Sequence, residues 1–321
     1  MSSIVEIAIE ISFWSPVVLF SIGIPSALFN TIIFVGMKTF RQSPSVYYVI
    51  GQSLSDLIVL LILLIENISS ISVSTSSMTC KLMLFFSQLT VPCAMTFLCL
   101  SAFDRWACTS RSARIRHLSS NYVARRLFPI PFLFWLLIDI PYLIFCDLIP
   151  PTFDCYFTND VFGEIAIYFL SPIFSVLLPL LVLITFSILT YGNIHQHLIR
   201  NHLSMWEQQM TRMIIIQTLL SIFCTLPQFI FVIYSIVTLN KRPMRSFYQI
   251  SIELLINQCT IFIMGINFIS SFYIFFLSSP RLRLTIKKYM KNLWNLKNNQ
   301  IIPMNITQIG RRKTAIQNHQ R

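Results

Sequence analysis

The chain has 321 residues, of which 55% are hydrophobic and only 11% charged, against about 25% charged in soluble globular domains. With 28 Phe, that composition excludes a compact domain dissolved in water. The net charge of +12 would point to nucleic acid in a soluble protein. Here the basic residues cluster between apolar runs, so they read as a signal of orientation in a bilayer, with no nucleic-acid partner.

A membrane-crossing helix needs about 20 mostly apolar residues. Seven such runs follow one another, at 13–37, 46–69, 78–107, 124–146, 166–194, 210–238 and 250–277. The fold class expected is therefore an all-α integral membrane bundle of seven helices. Residues 1–12 form a short segment before it. Residues 1–37 hold no Lys or Arg, so the basic start of a secretory signal is missing and the first span acts as its own insertion signal.

Charge orients the spans. Of the 24 basic residues, only Lys81, Lys241, Arg242 and Arg245 fall outside the links after odd spans and the tail. By the positive-inside rule this places the N-terminus outside the cell and the C-terminus in the cytoplasm, in a multi-pass protein of the plasma membrane. After the seventh span, 279–292 reads as a short amphipathic helix. Leu282, Ile286 and Met290 share one face and basic residues cover much of the rest, which suits the anionic inner leaflet. The polar stretch 293–321 reads as a disordered cytoplasmic tail.

Several polar residues stand where the bilayer makes them expensive. The third span ends in Asp104-Arg105-Trp106, and Cys80 lies 25 residues before Arg105. Asn30 sits in the first span and Asp56 in the second. Trp135 lies in the fourth and Pro179 in the fifth. The sixth carries Cys224-Thr225-Leu226-Pro227, and the seventh carries Asn267 and Ser271-Phe272-Tyr273-Ile274-Phe275. Pro227 removes a backbone hydrogen bond and gives its helix a pivot.

In joint order and spacing these residues resemble the rhodopsin-like G-protein-coupled receptors, over about residues 15–292. Asp104-Arg105-Trp106 looks like that family's Asp-Arg-Tyr motif. Asn30 and Asp56 match its polar residues of helices 1 and 2. Cys224-Thr225-Leu226-Pro227 looks like its Cys-Trp-x-Pro motif with Thr for the toggle Trp. Ser271 to Phe275 takes the place of Asn-Pro-x-x-Tyr, with Phe at 272 and 275. Position 187 is Ser, where the family often has Tyr. The Asn-x-x-x-Ser-Phe-Tyr run and the short third inner loop resemble the invertebrate FMRFamide-type peptide receptors.

The resemblance implies a receptor that passes an extracellular ligand, here a neuropeptide, to a heterotrimeric G protein. The alternatives are a receptor for a small molecule or lipid, or a seven-helix transporter. It implies a resting pair between Arg105 and Glu207, which lies 20 residues before Pro227 near the inner end of helix 6. Asp104, Arg105, Trp106, Glu207, Pro227, Tyr273 and Phe275 are then the coupling and switch residues. Asn30, Asp56, Asn267 and Ser271 form a polar cavity that holds sodium in the family. Here Ala94 stands where a Ser often helps. The family bridges Cys80 to its second outer loop; Cys155 is the expected partner and Cys146 the rival.

The ligand can be narrowed. A retinal lysine is absent, since the matching position is Gly265, and the aspartate of amine receptors is replaced by Ser87. The outer face carries Glu6, Glu10, Glu66, Asp147, Asp154, Asp160, Glu164 and Glu253, which would steer a cationic ligand inward. Glu66, Ser87, Gln88, Gln228, Glu253 and Gln258 are the pocket candidates. Asp56 and Asp139 are too few to mark an ion path for a transporter. No His, Cys or carboxylate cluster has catalytic or metal-binding spacing, so no enzyme is expected.

Overall fold

The structure is a computed structural model that describes residues 2–36, 43–69, 77–149, 154–195, 205–238, 246–280, 282–284, 286, 287 and 291. It divides into two units, Met1–Ser278 and Ser279–Arg321.

The first unit is the helical bundle. Its helices are α1 (Ser2–Gly36), α2 (Ser45–Ser69), α3 (Ser77–Thr109), α4 (Ala113–Leu118), α5 (Asn121–Leu127) and α6 (Ile130–Phe145). After a hairpin of β1 (Cys146–Ile149) and β2 (Asp154–Phe157) come α7 (Asp160–Ile165), a π-helical stretch (Ala166–Leu177), α8 (Leu178–His195), α9 (Met205–Val237) and α10 (Phe247–Ser278). Among the described residues, seven helical segments are long and apolar enough to cross a membrane. The fourth joins α5 to α6, and the fifth runs unbroken from Asp160 to His195. The seven-span architecture is thus as the sequence implied.

Burial runs opposite to that of a soluble protein. Phe223, Leu277 and Ile188 are 73%, 70% and 65% exposed, while Asn30, Asp56, Asp104, Arg105, Asp139 and Asn267 are each at most 2% exposed. Apolar side chains face outward because lipid solvates them, and polar ones turn inward because lipid cannot.

α3 is the central strut, packed on α2, α6, α8 and α9, while α1 packs on α2 and α10. Trp135 of α6 donates its indole N–H to Thr96 of α3 at 2.9 Å. It lies beside Tyr48, Cys93 and Phe97 in a core cluster. Gly51 lets α2 approach α3 closely, since a Cβ there would come within 2.4 Å of the Phe97 ring.

Two boundaries differ from those expected. α1 begins at Ser2, so the stretch read as a short leading segment continues the first helix. Residues 2–12 hold Ile4, Val5, Ile7, Ala8, Ile9 and Ile11 with no Gly or Pro to stop it. The fifth span starts earlier because Asn159 caps it, its side chain accepting from the Phe162 N–H at 3.0 Å.

In the second unit the described residues 280, 282–284, 286, 287 and 291 are helical. Ser279 caps this turn, its hydroxyl accepting from the Leu282 N–H at 3.2 Å. The tail read as disordered, 293–321, lies outside the described residues.

Candidate functional site: two ends of the bundle and a polar centre

At one end of the bundle, Asp104 and Arg105 sit at the close of α3. Arg105 is 1% exposed and donates from Nη2 to Asp104 at 2.5 Å, and at 3.4 Å to Ser43 just before α2. Asp104 also accepts from the hydroxyls of Ser45, the first residue of α2, and of Ser119, between α4 and α5, the latter at 2.7 Å. One carboxylate therefore ties together three segments and a buried cation. Nε and Nη1 of Arg105 have no hydrogen-bond partner among the described residues. Glu207, in the first turn of α9, is half-buried and within electrostatic reach of Arg105 and Cys108. The direct ion pair of Arg105 is with Asp104, and Glu207 acts on it through space. Trp106 packs with Phe103 and Phe186, at ring separations of 5.6 and 5.3 Å.

The mid-bundle polar residues are all buried. Asn30 Nδ2 donates to the Ser271 hydroxyl at 3.0 Å, and Asn267 Nδ2 reaches the Met95 sulfur at 3.5 Å. Among the described residues, both Asp56 oxygens, the Asn30 side-chain oxygen and the Asn267 side-chain oxygen lack hydrogen-bond partners. Oxygen acceptors left over in this way fit a hard monovalent cation, which takes oxygen ligands. Ala94 contributes packing against Val59 and Phe268 and offers no oxygen.

In α10, Phe275 is fully buried and meets Phe34 of α1 edge to face, 5.7 Å between centroids. Tyr273 is 39% exposed and donates to the Ile22 carbonyl of α1 at 3.2 Å. Both residues therefore tie α10 to α1. Pro227 lies within α9, two residues after the buried Thr225, whose hydroxyl donates to the Ser221 carbonyl at 2.7 Å.

At the other end, Cys80 and Cys155 form a disulfide that fastens the hairpin to the start of α3, with Cα atoms 5.8 Å apart. The rival Cys146 is a free thiol, fully buried with Tyr142, Phe162 and Ala166. Burial pushes that thiol up to about 11, with Lys81 opposing the shift, so it is inert as a nucleophile. Asp147 is held below its ordinary value by the Ser77 hydroxyl, then by the Leu148 N–H and by Lys81, whose Nζ is 3.3 Å away.

Beneath the hairpin lies a cavity of about 380 Å³, within the range of roughly 300–1,000 Å³ typical of ligand sites. Of the pocket candidates, Gln88 and Gln228 line it, joined by Tyr142, Ser171, Ser235 and Asn257. Ser87, Glu253 and Gln258 are outside its lining. Glu253 accepts from the Tyr234 hydroxyl at 2.8 Å, linking α9 to α10. The side chain of Glu66 lies outside the described residues. Of the other outer acids, Glu6, Glu10, Asp160 and Glu164 are exposed.

The π-helical stretch forms one cavity wall through Ala166, Ile167 and Ser171. Pro172 within it has no N–H to donate, and Ser175 donates its hydroxyl to the Leu170 carbonyl at 3.3 Å, five residues back. Such wide-wound turns recur at functional sites.

Compared with protein families, residues 30–273 match the 7 transmembrane receptor (rhodopsin family). The match covers most of the chain, and the chain belongs to that family of membrane receptors. Compared with curated proteins, the chain has no match. A Cβ on Gly265 of α10 would come within 2.4 Å of the Leu19 side chain, so α1 and α10 approach closely there.

Proposed function

We propose that the chain is a plasma-membrane receptor with its N-terminus outside. It takes a peptide at the hairpin end and drives nucleotide exchange on a heterotrimeric G protein at the Arg105 end. The observation that carries this reading is the fully buried Arg105, half-satisfied by Asp104, at the end of α3 opposite a ligand-sized cavity. A cation held in this way is a group in reserve: opening the bundle exposes donors that a partner's carbonyls or carboxylates can use. Glu207 favours the closed form by its charge, and Pro227, which removes a backbone hydrogen bond within α9, gives that helix a pivot on which to swing away. Gln228, next to Pro227, lines the cavity, so occupancy and helix movement share one element.

Asp56, Asn30, Asn267 and Ser271 would hold a sodium ion, which would supply the positive charge that a lone buried carboxylate lacks. An ion there favours whichever state binds it more tightly. The resemblance of the Asn267 to Tyr273 run to FMRFamide-type receptors, with the acidic outer residues, supports a cationic peptide as ligand. Screening a basic-peptide library on cells expressing the chain, with calcium and cyclic AMP readouts, tests this. A response that disappears with Arg105→Ala supports it. Silence across the library at confirmed surface expression would return the ligand to the small molecules.

A further inference from the structure

Ser119, between α4 and α5, follows Arg114-Ile115-Arg116-His117-Leu118, so arginines stand three and five residues before it. Between Asp104 and Asp139 the chain has no Asp or Glu, and Arg111, Arg114, Arg116, Arg125 and Arg126 are exposed. α4 buries none of its six residues, and Ser112 at its start makes no side-chain cap bond. So short a helix, with no face in the core, opens at little cost. The Ser119 hydroxyl donates to Oδ1 of Asp104 at 2.7 Å. The other oxygen of that carboxylate, Oδ2, accepts from Nη2 of Arg105 at 2.5 Å. One carboxylate therefore separates Ser119 from a guanidinium that is 1% exposed and whose Nε and Nη1 have no hydrogen-bond partner among the described residues.

We infer that Ser119 is a phosphorylation site for an arginine-directed protein kinase, and that its phosphate pairs with Arg105. In the transfer, Ser119 Oγ bonds to the γ-phosphorus of ATP and the bond from that phosphorus to the β–γ bridging oxygen breaks. ADP leaves, and the hydroxyl proton goes to the base of the kinase. Arginines before the serine suit an acidic substrate groove, and a stretch without carboxylates offers that groove no repulsion. Phosphorylation removes the O–H that Asp104 accepts from, and it sets a charge of about −1.5 to −2 beside that carboxylate. Asp104 is repelled, while the idle donors of Arg105 gain phosphate oxygens to bind. A guanidinium meets phosphate through two parallel N–H bonds, which outweighs the single Nη2 contact to Asp104. Arg105 is then held by the loop and withheld from a partner protein, so coupling falls. This rests on the receptor reading above, which puts this end of the bundle in the cytoplasm with ATP and kinases.

The test uses the full chain in lipid nanodiscs. Incubation with ATP and protein kinase B, followed by peptide mass spectrometry, should place phosphate on Ser119, and Ser119→Ala should lose it. For the consequence, phosphoserine is installed at position 119 during translation by codon reassignment. Phosphorus NMR then follows the second ionisation of the phosphate. A neighbouring guanidinium favours the dianion, so the midpoint should lie at lower pH than in the same phosphoserine receptor carrying Arg105→Gln. Nucleotide exchange by the phosphoserine receptor should be about tenfold or more below that of the unmodified chain, equivalent to about 1.4 kcal/mol of added closed-state bias. Equal midpoints with and without Arg105 overturn the inference. So does exchange undiminished by the phosphate, or a chain that the kinase leaves without phosphate at Ser119. An unmodified chain that catalyses no exchange would defeat the receptor reading alone, because the mapping and the NMR need no G protein.

Discussion

Arg105 is the largest side chain that the bundle buries completely among the described residues, and its neighbours explain how that is tolerated. Asp104 supplies the charge, Ser43 one acceptor, and Ser45 and Ser119 hold Asp104 in place. Removing one partner of a buried pair leaves the other uncompensated, which typically costs about 3–5 kcal/mol. Asp104→Asn should therefore lower the thermal midpoint of the purified receptor more than Glu207→Ala does, because Asp104 is the direct ion-pair partner of Arg105. Equal shifts would mean that Asp104 and Glu207 share the charge of Arg105 evenly.

The Asp104-Arg105 pair was legible in the sequence because two charges at the end of an apolar run are conspicuous. The three serines were not, because isolated Ser residues in polar links carry no periodicity. Gln88 and Gln228 could be picked as polar residues on apolar helices. Tyr142, Ser171, Ser235 and Asn257 could not, because their meeting depends on how four helices are rotated.

At the scale of elements, the spans were readable from hydropathy, while the π-helical stretch was not: nothing in Ala166–Leu177 distinguishes a wide winding from an ordinary one except Pro172. The hairpin was also invisible. Only Cys155 hinted that the link between the fourth and fifth spans folds back over the bundle. The register of β1 on β2 places Leu148 opposite Cys155 and Cys146 opposite Phe157. That puts the two cysteines of the hairpin in different surroundings, one bridged to α3 and one packed in the core. Non-reducing peptide mapping should recover Cys80 joined to Cys155, with Cys146 alkylated only after denaturation. A Cys80–Cys146 peptide would contradict the register. Loss of the bridge by Cys155→Ser should cost surface expression, since removing a native disulfide costs about 2–5 kcal/mol in small secreted domains.

At the scale of the whole molecule, the proposed receptor takes its orientation from the charge bias across the links and its switch from the buried polar residues. An epitope at residue 1 should stain on intact cells, and one at residue 321 only after permeabilisation; the reverse would invalidate the assignment of ends. The bundle is bistable in this account, held closed by the surroundings of Arg105 and opened by ligand against a gap of a few kcal/mol. Nucleotide exchange on purified heterotrimeric G proteins, catalysed by the receptor in nanodiscs without ligand, measures that balance directly. With Glu207→Ala, basal exchange should rise about tenfold if about 1.4 kcal/mol of closed-state bias is lost. With Arg105→Ala, and with the double variant, it should fall below wild type, because the group offered to the G protein is gone. Exchange by Arg105→Ala equal to that of wild type, at equal folded receptor, would contradict the account.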